Sequence, residues 1–185
     1  MNTLLTALRL LLVLTVVTGG LYPFAVWALT RVAFTRQAEG SLVVRDGVVV
    51  GSALLAQDTA GNPCYFQPRP SAASFATVPS GASNQAWTSA ALAQSITARR
   101  AAFPSAATVP ADLLTASGSG LDPDLSPAAV RLQADRVATA RRLESAQQAA
   151  LDELIARLTV GGQFTPARIN VLALNLALDS RFPVQ

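Results

Sequence analysis

Apolar side chains dominate the first thirty positions and then give way to short, punctuated patterns. From Leu10 to Thr30 the chain carries 21 residues without a charge, bracketed by Arg9 and Arg31. At about 1.5 Å per residue, a helix of that length reaches roughly 31 Å, the thickness of a bilayer's hydrocarbon core. A cleaved signal peptide has a shorter apolar region and ends in a small-x-small site, whereas this run ends in Trp27 and Arg31. Tyr22 and Trp27 lie toward its far end, where amphipathic rings favour the interface. The pattern predicts an uncleaved membrane-spanning helix over residues 10–30, with a short N-terminal stretch, 1–9, before it and one domain, 31–185, after it.

Past the span, β-branched runs flank Asp46-Gly47 between Ser41 and Ser52. Asp-Gly supplies the positive φ angles of a type I′ turn, so a β-hairpin is expected there. Residues 58–90 are punctuated by Pro63, Pro68, Pro70 and Pro79 with Gly61 and Gly81, a stretch that is either mobile or held by contacts elsewhere. A helix is expected over residues 86–103, ended by Pro104. Ser126 followed by Pro127 starts another that runs to about Arg141. Ser145 and Gln148 have capping-box spacing ahead of a helix with Leu151, Leu154, Ile155 and Leu158 on one face, an exposed Glu153–Arg157 pair, and a stop at Gly161-Gly162. The run from Ile169 to Asp179 fits both strand alternation and helical spacing; it is read as helix, and Asn170 and Asn175 need hydrogen-bond partners if buried. These elements predict an α+β chain: a single N-terminal transmembrane helix followed by one compact mixed α/β domain.

Composition narrows the chemistry. All 14 basic residues are Arg, His is absent, and there is one cysteine, Cys64. That excludes a Walker A loop, a Ser-His or Ser-Lys nucleophile, a Schiff base and a His-ligated metal, and one Cys makes neither an intramolecular disulfide nor a Cys cluster. No catalytic residue and no metal ligand is assigned. The formal charge is only +3, and the Arg residues form no dense block, so no nucleic-acid partner is expected.

Three constellations remain. Thr15, Gly19 and Tyr22 share one face of the span; small residues there either let a second helix approach or are simply tolerated in lipid. Tyr65-Phe66 and Arg69, the Arg fixed between Pro68 and Pro70, suit a partner surface, or else a rigid loop whose aromatics plug the core. Ser117 to Pro123 reads as a structural turn more than an anion nest or an exposed nucleophile. The Arg136 to Arg142 stretch reads as a solvated helix face. Counted over Arg9 against Arg31, Arg36 and Arg45, the positive-inside rule puts the domain in the cytoplasm, although long domains translocate regardless of such charges.

The order of these features resembles one family. The apolar span ending near Tyr22-Pro23 is followed by Glu39-Gly40-Ser41 and the Asp-Gly hairpin with Val50-Gly51-Ser52. Tyr65-Phe66, Arg69-Pro70-Ser71-Ala72 and Ser80 to Asn84 come next. Val109 to Leu113, Ser117 to Pro123, Arg136-Val137-Ala138 and Asn170 to Asn175 complete the series. Together they are similar to KdpC, the C subunits of Kdp potassium-transporting P-type ATPases. Pro68, the segment after Asn84, and Arg142 in place of a helix-ending Gly are departures from that pattern. The resemblance implies a noncatalytic, single-pass subunit in lipid of the bacterial inner membrane, with its N-terminus cytoplasmic and its domain extracytoplasmic. Its implied partners are a potassium-translocating subunit and an ATP-hydrolysing subunit. It also implies a catalytic-chaperone role that raises ATP affinity, and hence ATP as the one implied ligand, with a distant allosteric route fitting the topology better than direct contact. The other readings are a membrane-anchored extracytoplasmic module for another ligand and an anchored hydrolase.

Overall fold

A computed structural model describes residues 2–184. Two compact units divide the chain, one ending at Ser52 and the other beginning at Ala53.

The first unit is led by helix α1 (Asn2–Val16), a π-helical turn (Val17–Leu21) and helix α2 (Tyr22–Ala33). Together they form one helix, long and apolar enough from Thr3 to Ala33 to cross a membrane. The π turn has a local cause. Pro23 has no N–H to give the Gly19 carbonyl four residues back, and its ring would crowd that carbonyl; the wider turn, in which the Tyr22 N–H reaches Val17 O, relieves both. Thr18 Oγ1 donates to Leu14 O at 2.7 Å and adds to the loosening. A short helix α3 (Thr35–Ala38) leads to strands β1 (Leu42–Arg45) and β2 (Val48–Ser52), paired antiparallel with a bulge between Val43 and Val44. Asp46 and Gly47, at φ 52° and 79°, make the expected turn.

In the second unit, helices α4 (Ala90–Arg100) and α5 (Ala111–Leu114) precede strand β3 (Asp124–Leu125) and helices α6 (Pro127–Ala140) and α7 (Ser145–Leu158). Strand β4 (Ile169–Asn170), antiparallel to β3, runs into helix α8 (Val171–Arg181). The core joins Val130 and Val137 of α6, Leu151, Leu154 and Ile155 of α7, and Leu174 and Leu178 of α8 around Phe66, Leu125 and Ile169. Full burial of each large apolar side chain contributes about 1.5–3 kcal/mol, so this one cluster supplies much of the folding drive.

Three sequence expectations are refined. Helix α4 starts at Ala90 rather than 86, because Gln85 to Ser89 is taken up by a turn in which the Ser89 N–H donates to Ala86 O at 2.9 Å. The capping box before α7 sits one residue earlier than Ser145 and Gln148. Glu144 accepts from the Gln147 backbone, and Gln147 Oε1 accepts from the Glu144 N–H at 2.9 Å. That register follows from the preceding turn: the Arg142 and Leu143 N–H groups donate to Thr139 O and Ala138 O, a Schellman arrangement that leaves Glu144 extended. The ambiguous C-terminal run splits, with Ile169-Asn170 as strand and the rest as helix, and Asn170 Oδ1 caps that helix by accepting from Ala173 N at 3.0 Å.

Candidate functional site

The predicted face of the span is present as a shallow apolar groove lined by Thr15, Val16, Gly19, Gly20, Leu21 and Phe24. A Cβ placed on Gly19 or Gly20 would meet nothing within 4 Å, so these glycines leave open space along the helix. Tyr22 is exposed but is not among the lining residues, unlike Thr15 and Gly19. The π turn between them explains this: a turn closed by i→i+5 bonds holds more residues than an α turn, so seven positions no longer return to the same face. Phe24 takes the lower edge of the groove instead and stacks on Trp27 at 5.5 Å between ring centroids. Arg31 lies 6.0 Å over the Trp27 ring and pairs with Glu39 at 3.3 Å, an aromatic and cationic collar at the end of the apolar run.

In the second unit, the loop carrying Tyr65, Phe66 and Arg69 is clamped by side chains of α6 and α8. Asn175 of α8 accepts from the Phe66 N–H at 2.9 Å and donates to Phe66 O at 3.0 Å. Gln133 of α6 does the same for Gln67, accepting from its N–H at 2.8 Å and donating to its O at 3.1 Å. Each amide side chain thus pairs with both backbone groups of one residue, as a neighbouring strand would. Arg136 donates to Pro63 O at 2.7 Å and Tyr65 O at 3.0 Å. Arg141 donates to Cys64 O at 2.8 Å, to Phe182 O at 2.6 Å and to Asp179 at 2.7 Å, and stacks on the Tyr65 ring at 5.0 Å. The expected solvated face is therefore corrected: the Arg141 side chain is 1% exposed. Burial lowers the Arg136 pKa from its ordinary value, yet the carbonyls around it suit the charged form.

The three candidates on this loop are spent within the chain. Phe66 is 0% exposed, at the centre of the core. The Tyr65 hydroxyl donates to Asp179 at 3.2 Å, and burial, with the Asp179 charge second, raises its pKa. Arg69, aimed by its flanking prolines, pairs with Asp122 at 2.8 Å, while its Nε is enclosed without a partner among the described residues. Tyr65 and Arg69 both stay half-buried at the surface with these bonds in place. The Ser117 to Pro123 run is a structural turn, as expected. The Ser117 N–H donates to Pro70 O at 3.1 Å, and Gly120, at φ 73°, lies so close to Gly81 O that a Cβ there would sit 2.7 Å from it.

The sequence reading missed Gln133 and Asp179. Gln133 carried a signal in retrospect, as a polar residue on the apolar face that places Val130 and Val137 in the core.

Comparison with known proteins identifies relatives over the full length. The family model described as K+-transporting ATPase, c chain (KdpC), matches residues 4–180. A Rhodospirillum rubrum protein named potassium-transporting ATPase KdpC subunit is 48% identical over 191 residues, covering 100% of this chain and 98% of its own. Proteins of the same name from Pseudomonas entomophila and Sorangium cellulosum are 48% and 50% identical, over 96% and 94% of this chain and 95% of theirs.

Proposed function

The chain belongs to the KdpC family, the c chains of potassium-transporting ATPases, and from that premise we propose that it is a noncatalytic membrane subunit that assembles the complex and raises the ATP affinity of its hydrolysing subunit. The family match across residues 4–180 carries the reading. In the proposed topology residues 1–9 are cytoplasmic, residues 10–30 cross the bacterial inner membrane within the Thr3–Ala33 helix, and residues 31–185 form the extracytoplasmic domain. Thr15 and Gly19 dock on the potassium-translocating subunit, the open space beside them admitting a second helix closely.

The mechanism follows from what the side chains can and cannot do. A chain with no Lys and no His has no imidazole or amine base and no phosphate-loop lysine. Its effect on ATP is then a coupling free energy: contacts that fit one conformation of the pump better than another shift that equilibrium, and nucleotide affinity shifts with it. Potassium-dependent ATPase activity of the complex, measured across ATP concentrations with and without this chain, tests the reading. A lower KM for ATP with the chain present is expected. An unchanged ATP dependence, or ATP turnover by the chain alone, overturns it.

A further inference from the structure

We infer that the second unit carries a carboxylate-binding site where the ends of α6 and α8 meet the start of α7, a site that takes no part in the ATP effect proposed above. A cavity of about 550 Å³ opens there, within the size range of small-molecule sites. Arg142 and Arg181 line it, and neither guanidinium has a hydrogen-bond or ion-pair partner among the described residues; Arg181 only covers the ring of Phe182, 5.9 Å away. Arg142 reaches this wall at a cost. At φ 56° it stands in the left-handed region, at the helix-ending position that glycine fills without strain. Backbone strain held by a residue with a long side chain points to a use for that side chain. The frame behind the two arginines is rigid. Arg141, whose side chain is 1% exposed, donates to Phe182 O at 2.6 Å and to Asp179 at 2.7 Å, and so ties the end of α8 to the end of α6.

Charge and apolar lining together select the ligand. Two unpartnered guanidiniums face the cavity, and α7 begins at its edge with the positive end of its dipole. Glu144 lines the same cavity, its carboxylate accepting from the Gln147 N–H, so one positive charge is left unmatched. A singly charged anion balances that excess, whereas a phosphate dianion or a nucleotide triphosphate would bring further negative charge against Glu144. A planar carboxylate also matches the guanidinium fork, which offers it two parallel N–H···O bonds. Leu143, Phe182, Pro183 and Val184 supply apolar wall, which suits a hydrocarbon body behind the carboxylate. Such a group belongs either to a free organic acid or to a polypeptide, as an acidic side chain or a C-terminus.

The test uses the purified full chain in detergent and ligand-observed NMR. It is titrated with benzoate, with inorganic phosphate, and with the dipeptide acetyl-Ala-Leu as its free acid and as its amide. The carboxylate probes should bind in preference to phosphate and to the amide. Arg142→Gly and Arg181→Gln should each weaken the tighter carboxylate probe by about tenfold, the loss of one charge-assisted fork. Arg142→Gly relieves the strained turn, so its loss of binding is not a loss of fold. Arg131→Gln, on α6 and outside the cavity lining, should bind like the parent. A peptide acid that binds tighter than benzoate assigns the site to a polypeptide carboxylate; one that binds no tighter assigns it to free organic acids. Phosphate binding tighter than both carboxylates, equal binding of the peptide acid and its amide, no binding of either carboxylate, or an unchanged affinity in Arg142→Gly overturns the inference.

Discussion

Arg142 occupies the left-handed region, at φ 56°, in the turn that ends α6. A side chain there meets the following carbonyl, which costs about 1 kcal/mol that glycine avoids. Arg142→Gly should therefore stabilise the detergent-solubilised chain by about 1 kcal/mol in urea unfolding, and Arg142→Ala, which keeps the Cβ, should bring no such gain. Asp124 shows a different kind of residue-scale cost. Burial raises its pKa above the ordinary value of 3.8, outweighing the opposing pull of Arg168, which pairs with it at 3.1 Å. A raised folded-state pKa means that the native state binds the proton more tightly than the unfolded chain does. Its contribution is thus fully present below the unfolded value and is lost as pH rises through the folded one. Asp124→Asn should gain stability relative to the parent as pH climbs from the acid range toward neutrality. A difference that stays constant with pH would show that burial does not control this carboxyl.

At the scale of elements, the 63–67 loop has no strand partner and borrows one from two helices. Removing the Asn175 amide leaves the N–H and O of Phe66 unpaired inside the core. Asn175→Ala should cost about 2–4 kcal/mol. Ser126→Ala removes only the helix cap that accepts from Ala129 N, and should cost about 1 kcal/mol. Comparable losses for the two would mean that the loop does not depend on the clamp. The membrane helix makes the opposite case, because a Cβ added at Gly19 or Gly20 would meet nothing within 4 Å. Gly19→Leu should leave the helix formed and the domain folded, yet reduce the amount of chain that remains with the complex after detergent extraction. Leu12→Ala, outside the groove, should be retained like the parent. Full retention of Gly19→Leu would place the helix interface on another face.

At the scale of the whole molecule, the proposed orientation decides how the subunit would act, since a domain outside the cytoplasm would reach ATP only through its partners. Trp87 and Phe164 are 90% and 93% exposed and offer independent reporters. Trp87→Cys and Phe164→Cys, each with Cys64→Ala, should react with a membrane-impermeant maleimide once the outer envelope is opened, without access to the cytoplasm. Labelling of both only from the cytoplasmic side would reverse the orientation. Much of the architecture was legible from local chemistry: the apolar run, the Asp46-Gly47 turn and the Ser126-Pro127 start each depend on a few neighbouring residues and on the backbone angles those residues favour, whereas the stop expected at Gly161-Gly162 falls earlier, at Leu158 with Thr159 extended, and the two glycines instead turn the chain between Val160 and Arg168. The whole-chain order of motifs carried the family in the same way. What the sequence by itself left open depends on residues far apart in the chain. Whether Phe66 faced a partner or the core, and whether Arg141 was solvated, was decided by α6 and α8 converging on one loop from 66 to 109 positions away. A polar side chain on a helix reads the same in sequence whether water or a distant carbonyl satisfies it, and only the packed structure says which one is there.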